Sequence, residues 1–370
     1  MKVGITGQSG FIGWHLYQTL RFKFKNFKLI DFKKEFFYNS NDLDRFVSKC
    51  DVIFHLAGVN RDDDEKKLYK ENVNLATYLI KSIEKTGFKG KLIFSSSYQE
   101  EIKNDYGKAK NQIRKMFISE SKLNNFKFSG LLIPNVFGPF SRPNYNTFIA
   151  TFCNKIIDGK VPKIIQDSIV PLIYIDDLIS EIINEINNDS NNKKIINPNV
   201  KIKVSEVLGL IKSFHQTYFI KHQIPDIKNN FSKNLFNTFL SFIKTENYYP
   251  IALNENIDSR GSFFEMIRVN SEGQTSISNT HAKVIRGNHF HTKKIERFCV
   301  IKGKALIKIR KVGESKVIKL IITGSKPSFI DIPIWHTHSI ENIGKDELVT
   351  VFWINEHYDE NNSDTFLEIV

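Results

Sequence analysis

Thr6-Gly7-Gln8-Ser9-Gly10-Phe11-Ile12-Gly13, entered from the apolar run 2–6, is the stretch on which the fold of this chain turns. Spaced glycines that end a β-rich run and open a helix let the backbone turn tightly, so that amide N–H groups approach a pyrophosphate. Gly7, Gly10, Phe11, Ile12 and Gly13 are therefore candidate cofactor-binding residues. A glycine turn with no ligand gives the same pattern, so its weight depends on the surroundings. Working outward, 27–31, 51–56, 91–95 and 128–133 read as further buried strands, alternating with helical stretches to about residue 186. This alternation predicts an α/β, doubly wound parallel sheet with its ligand at the strands' carboxyl ends. The Lys/Phe alternation of 21–28 reads as a helix end and a strand edge, and the polar segment 187–194 as a surface loop inside the same domain. Helical patterns follow at 204–214 and 235–243. After 245–250 the texture changes to short strands and turns, 297–301, 305–310, 317–322 and 348–354 among them. The predicted organisation is thus a 1–244 nucleotide-binding domain followed by an all-β domain over 245–370.

Composition narrows the function classes. The chain has 370 residues, 41% hydrophobic and 25% charged, which fits a soluble two-domain protein. No apolar run approaches the roughly 20 residues of a membrane helix, so no membrane role is expected. Residue 1 leads directly into a strand-like run, without the basic flank and apolar core of a signal peptide. Cys50, Cys153 and Cys299 are odd in number and widely spaced, which suits a reducing cytoplasm better than a disulfide framework. The net charge of +13 comes from lysines spread along the chain and not from one basic stripe. No nucleic-acid partner is expected, whereas an anionic, nucleotide-linked substrate fits.

Tyr106-Gly107-Lys108-Ala109-Lys110 places Tyr106 and Lys110 on one helix face, where the ammonium favours the phenolate of a group whose free pKa is about 10. A Tyr-x-x-x-Lys spacing is common by itself. Here the run ending Ser95-Ser96-Ser97 precedes it, His55-Leu56-Ala57-Gly58 ends an earlier strand, and Asn72-Val73, Pro134 to Pro139 and Tyr174-Ile175-Asp176-Asp177 complete a set. In this order they resemble the extended short-chain dehydrogenase/reductases. The resemblance implies that Tyr106 is the acid/base, that Lys110 lowers its pKa and holds the nicotinamide ribose, and that Ser97, or Ser96 if the register slips, orients the carbonyl. It also implies cofactor contacts from Leu56, Ala57 and Gly58. Asp31 falls where a carboxylate binds a ribose 2′-hydroxyl, which favours NAD; Lys33 and Lys34 follow and could pair with the 2′-phosphate of NADPH.

His289-Phe290-His291, then Glu296, then His338 form a second set. Alternate histidines share a strand face, and three imidazoles with a carboxylate bind Zn²⁺, but equally Fe, Mn or Ni. The spacing resembles the cupin metal motif, departing from it at Trp335, where glycine is common. His336 would share a face with His338 in an extended strand, and His338 is preferred because it falls at the motif's last histidine. Residues 258–263 and 286–289 resemble those of dTDP-4-keto-sugar epimerases, which singles out Arg260 and Arg286; otherwise both are surface charges.

Both chemistries fit one nucleotide sugar. A proton at C3 is acidic only while C4 is a ketone, so epimerisation must precede reduction. The whole chain resembles the CapF family of bacterial capsular-polysaccharide enzymes, in stretches 55–61, 143–146, 150–153, 258–263, 287–289 and 340–342. That resemblance implies a cytoplasmic homodimer that binds zinc and uses NADPH. It also implies C3 epimerisation of a UDP-2-acetamido-2,6-dideoxy-4-hexulose and then C4 reduction to the L-talose sugar, on the route to UDP-N-acetyl-L-fucosamine. The alternatives are a reductase whose β domain only dimerises or binds substrate, and a non-enzymatic sugar-nucleotide sensor, against which the intact Ser97, Tyr106 and Lys110 argue.

Overall fold

The computed structural model describes residues 1–370 except 103, 146, 190, 259, 260, 265, 268, 270–272, 357, 358, 360 and 362; for 191, 255–258 and 261–264 it describes the backbone alone. The first nine strands are β1 (Lys2–Thr6), β2 (Lys28–Ile30), β3 (Val52–His55), β4 (Lys91–Ser97), β5 (Lys127–Ile133), β6 (Asn135–Phe137), β7 (Ile169–Tyr174), β8 (Asn191–Ile195) and β9 (Val200–Lys203). Six of them form one sheet in the order β2-β1-β3-β4-β5-β8, and every pair in it is parallel. The remaining three form a small sheet, β6-β7-β9. This is the expected Rossmann-like region. The strand order reverses at β1, which has β2 on one side and β3 on the other, so the crevice for a ligand opens at their carboxyl ends.

Helices α1 (Phe11–Lys23), α2 (Ser40–Val47), α3 (Glu65–Thr86) and α4 (Asp105–Leu123) connect these strands. α3 starts at Asp64, whose side chain accepts from Lys67 N, and stops at Gly87 with φ 64. Its buried Leu68, Asn72, Leu75, Ala76, Leu79 and Ile83 recur at helical spacing and face the sheet. There Phe46, Ile53, Leu79, Phe94, Phe117 and Phe128 join one apolar cluster, and complete burial of each such side chain is worth roughly 1.5–3 kcal/mol. One expectation is corrected. Residues 191–194, read as part of the loop 187–194, lie in β8 on the sheet edge, where Lys194 pairs with Glu181 and Glu185. Polar composition is how exposed sheet edges avoid further pairing, and in sequence it looks like a loop.

The chain folds into two compact units, Met1–Thr151 with Ile164–Glu206, and Phe152–Lys163 with Val207–Val370. These units do not follow the change of sequence texture at 245. The strands of the second are β10 (Ile251–Ala252), β11 (Glu255–Asp258), β12 (Gly261–Phe264), β13 (Gln274–Thr280), β14 (Ile285–Phe290), β15 (Glu296–Lys302), β16 (Lys304–Lys311), β17 (Ile318–Thr323), β18 (Ser328–Ile332), β19 (His336–Asn342), β20 (Leu348–Ile354) and β21 (Phe366–Leu367). They make two five-stranded sheets, β10-β18-β15-β20-β13 and β17-β16-β19-β14-β21, and the hairpin β11-β12. Among the described residues every pairing between these strands is antiparallel.

The helical segment before β10 belongs to this unit for a visible reason. Arg297 on β15 pairs with Asp331 on β18 through two bonds of 2.8 and 2.9 Å, fully buried, and its guanidinium lies 3.7 Å over the Phe329 ring. Tyr218 donates to the same Asp331 carboxylate and contacts the Tyr249 hydroxyl, while Arg297 donates to the His222 carbonyl. The segment thus supplies the hydrogen bonds that a buried ion pair requires.

Candidate functional site

In the first unit the glycines do what their spacing suggests. Gly7 has φ 76, and a Cβ there would meet Ala57 N at 2.7 Å, so the turn after β1 and the loop after β3 touch. A Cβ on Gly13 would lie 2.1 Å from the Gly7 carbonyl, which itself accepts from Gly10 N at 2.9 Å. Phe11 and Ile12 open α1 behind it. Gly13→Ala is therefore expected to shift the turn at a cost of about 1–3 kcal/mol, read by titration calorimetry as roughly a 5- to 150-fold loss of dinucleotide affinity. Undiminished affinity would show that this turn is no pyrophosphate cradle.

The ends of β1 and β3 are joined by Thr6 Oγ1 and His55 Nδ1, 2.8 Å apart. Burial, reinforced by Lys110, pushes His55 down to about 3, so it is neutral. The loop Leu56-Ala57-Gly58 follows, and a Cβ on Gly58 would come within 3.7 Å of Lys110 Nζ. The candidate cofactor loop and the candidate catalytic lysine therefore meet. Asn72 fixes this loop by donating to the Val59 carbonyl and accepting from Val59 N.

Lys110 is buried, and its ammonium donates to the Ser95 carbonyl at 2.9 Å and lies 5.6 Å from the centre of the Tyr106 ring. Burial lowers its pKa to about 8, against the pull of Glu100. Desolvation of the Tyr106 phenol, with Tyr145 adding to it, holds that group above its ordinary value. The expected lowering by Lys110 is thus outweighed by burial, and Lys110 stands beside a phenol that keeps its proton, the form a ketone reductase must start from. Ser97 ends β4 and is partly buried, with its hydroxyl oxygen accepting from Gln99 N at 3.1 Å. Ser96 is committed elsewhere. Its hydroxyl donates to Glu100, which is gripped by Arg114 at 2.7–3.1 Å. Asp31, Lys33 and Lys34 lie exposed just past β2. Two neighbours were missed. Tyr106 Oη donates to Asn60 Oδ1 at 3.3 Å, and Tyr145 Oη accepts from Asn60 N at 3.4 Å. Asn60 sits in the 55–61 stretch, but nothing in its own identity marks it.

In the second unit His289, His291, Glu296 and His338 offer ligand atoms that all lie within 4.8 Å of one another. β14 and β19 place His289 opposite His338, after an irregularity between Gly287 and His289 that re-aims the strand. Glu296 comes from β15 in the other sheet, at 3.2 Å from His291 Nε2 and 2.8 Å from His338 Nε2. His291 Nδ1 bonds the Asp364 carbonyl at 2.6 Å and His338 Nδ1 the His336 carbonyl at 3.2 Å. A carbonyl accepts only, so in the neutral imidazoles the proton is on Nδ1 and both Nε2 lone pairs face a carboxylate. Among the described residues Nε2 of His291, Nε2 of His338 and Oε2 of Glu296, all buried, find no hydrogen-bond partner. Converging lone pairs of this kind call for protons or a cation, so the donor set fits a metal. Burial, with His338 and His291, lowers His289 to about 4, leaving it neutral; burial would raise the Glu296 carboxyl, but positive charge on His338 and His291, the charge a metal would otherwise supply, holds it well below its usual range.

His336 is outside the cluster; its Nδ1 bonds the Ile334 carbonyl at 3.0 Å. Trp335 takes φ 59, the region that favours glycine, which accounts for the glycine common there, and its buried indole stacks on Phe290. Arg286 donates to Thr280 Oγ1 and to the Asn279 carbonyl. Ser259, Arg260 and Asn146 lie outside the described residues, as do the side chains of 258 and 261–263. Cys50, Cys153 and Cys299 are buried free thiols, and no helix among the described residues is long and apolar enough to cross a membrane.

The NAD dependent epimerase/dehydratase family matches residues 3–197, and the polysaccharide biosynthesis C-terminal domain matches 256–366. Over 372 residues, 99% of this chain and 98% of the relative, it is 31% identical to a UDP-2-acetamido-2,6-beta-L-arabino-hexul-4-ose reductase of Pseudomonas aeruginosa. The capsular polysaccharide assembling protein CapF from Staphylococcus aureus superposes with TM-score 0.62 at 30% identity, covering all of both chains. The chain belongs to the CapF-like family. This CapF-like chain also shares its fold with the UDP-glucose 4-epimerase of Thermus thermophilus in complex with NAD (TM-score 0.54, 15% identity, 65% of this chain and 99% of that one). It is accordingly an enzyme of the NAD(P)-dependent, Rossmann-type epimerase and reductase class.

Proposed function

We propose that the chain is a bifunctional enzyme of UDP-N-acetyl-L-fucosamine biosynthesis for capsule or O-antigen. In this reading a cupin domain over 245–370 epimerises C3 of UDP-2-acetamido-2,6-dideoxy-4-hexulose. A short-chain reductase over 1–244 then reduces C4, giving UDP-2-acetamido-2,6-dideoxy-β-L-talose. The observation that carries the reading is the coexistence of a Tyr106–Lys110 pair beside a glycine turn with a buried three-histidine, one-carboxylate cluster. NADPH when bound supplies the hydride, as the CapF resemblance implies; Asp31 would suit NAD, the less favoured cofactor, whereas Lys33 or Lys34 could meet the 2′-phosphate of NADPH. Tyr106 gives its proton to the C4 oxygen, Ser97 donates a hydrogen bond to the same oxygen, and the Lys110 ammonium compensates the phenolate left behind. In the β domain His289, His291, Glu296 and His338 would hold Zn²⁺, whose positive charge stabilises developing negative charge on the sugar. A homodimer in the cytoplasm is part of the same proposal.

The order of steps follows from the substrate. Loss of the C3 proton leaves a carbanion delocalised into the C4 ketone, and reduction at C4 removes that acidity. NMR of the 5-epimerised UDP-4-hexulose in D₂O, first without NADPH and then with it, tests both steps. Deuterium at C3 before NADPH, followed by a C4-reduced talo product, is the expected result. The name of the Pseudomonas aeruginosa relative mentions a reductase alone, which favours a second reading in which the β domain binds substrate or dimerises. Rapid reduction with no exchange would select it.

A further inference from the structure

We propose that Asp364 is a positioning residue of the metal centre, acting through His291 and the turn that follows it; this rests on the metal reading above. Its backbone carbonyl accepts from His291 Nδ1 at 2.6 Å, which fixes the tautomer with Nε2 facing Glu296. Its carboxylate accepts from Thr292 Oγ1 at 2.6 Å, from Thr292 N at 3.1 Å, from Lys293 N at 2.8 Å and from Lys294 N at 3.3 Å. One side chain therefore caps the whole turn leaving His291, while its own main chain holds the imidazole. Asp364 takes φ 45, a left-handed conformation that aspartate tolerates better than most residues and that its hydrogen bonds to 292–294 hold in place.

The residues after it fix His289, the histidine within β14. β21 pairs with β14, setting Leu367 opposite His289 and Phe366 opposite Phe290, whose rings stack 5.3 Å apart. Glu368 N donates to the Asn288 carbonyl at 2.9 Å, and Arg310 binds the Glu368 carboxylate at 2.9 Å. Residues 364–368 thus clasp the segment bearing His289 and His291, and Asp364 is the one of them that bonds a ligand's imidazole. A hydrogen-bond partner of this kind typically contributes 10–100-fold to metal affinity.

The test is zinc affinity of the full chain, measured by competition with a chromophoric chelator, with the visible spectrum of the cobalt(II)-loaded protein as a probe of ligand geometry. Asp364→Ala keeps the carbonyl but frees the turn that aims it, so it should bind zinc up to about 10-fold more weakly, the lower end for an outer partner, and show altered cobalt bands. Asp364→Asn, which keeps an acceptor oxygen, should lose less, and Thr292→Val, which removes one donor, should fall between Asn and wild type. If Asp364→Ala does not fold, Thr292→Val decides. Variants with wild-type affinity and unchanged cobalt bands would overturn the role of Asp364 and leave the metal reading standing. Wild-type protein that takes up no metal would overturn both.

Discussion

Tyr106→Phe is expected to slow NADPH-dependent C4 reduction by about 10²–10⁴-fold, the usual contribution of a positioned proton donor, with C3 deuterium exchange left at the wild-type rate. Phenylalanine keeps the ring beside the Lys110 ammonium and removes only the hydroxyl that donates to Asn60. The phenol is held above its ordinary pKa, so across neutral pH it carries the proton that the alkoxide at C4 must receive. Replacing it leaves the hydride acceptor without an acid, while the dinucleotide turn at Gly7 to Gly13 is untouched. Steady-state NADPH oxidation with pre-epimerised sugar measures the loss, and a variant turning over within a few-fold of wild type would remove Tyr106 as the acid.

The reciprocal result is expected from Glu296→Gln. The carboxylate supplies the only negative charge among the four clustered ligands and lies at 2.8 and 3.2 Å from two imidazole nitrogens. Its loss removes both a ligand and the charge that offsets a dication, so zinc retention should fall by more than the roughly 10–100-fold attached to an outer hydrogen-bond partner. C3 exchange should vanish, and reduction of pre-epimerised sugar should persist, since Ser97, Tyr106 and Lys110 lie in the other compact unit. Metal content after gel filtration and exchange in D₂O are the readouts. Zinc lost with exchange retained would make the metal structural.

How legible these sites are in sequence depends on whether a side chain's role is local. The Gly7–Gly13 turn, the Tyr106–Lys110 face and the strand Leu348–Ile354 were readable because spacing along the chain fixes their geometry. The four metal ligands come from distant segments, yet His289 near the end of β14 and His291 just past it are two residues apart, and that local pair flagged the rest. β8 was hidden because an exposed edge strand carries lysines and asparagines for the same physical reason a loop does. Asn60, Tyr145 and Asp364 were hidden because what matters in them is a hydrogen bond to a residue far along the chain, and no periodicity records it. The bond from Tyr218 to Asp331 is of the same kind: it ties a helical segment to the β-rich unit, and the change of texture at 245 does not record it.

That seam has a genetic corollary. The polypeptide passes from one unit to the other at 151/152, 163/164 and 206/207, so no single cut yields two intact halves. A two-gene version divided at 244/245 would strip Tyr218 from Asp331 and open the buried Arg297 ion pair to water. On the proposed function, both sites are bound to one reading frame by the path of the chain, so a frameshift early in the gene would remove both and cells would obtain the two activities in a fixed one-to-one ratio.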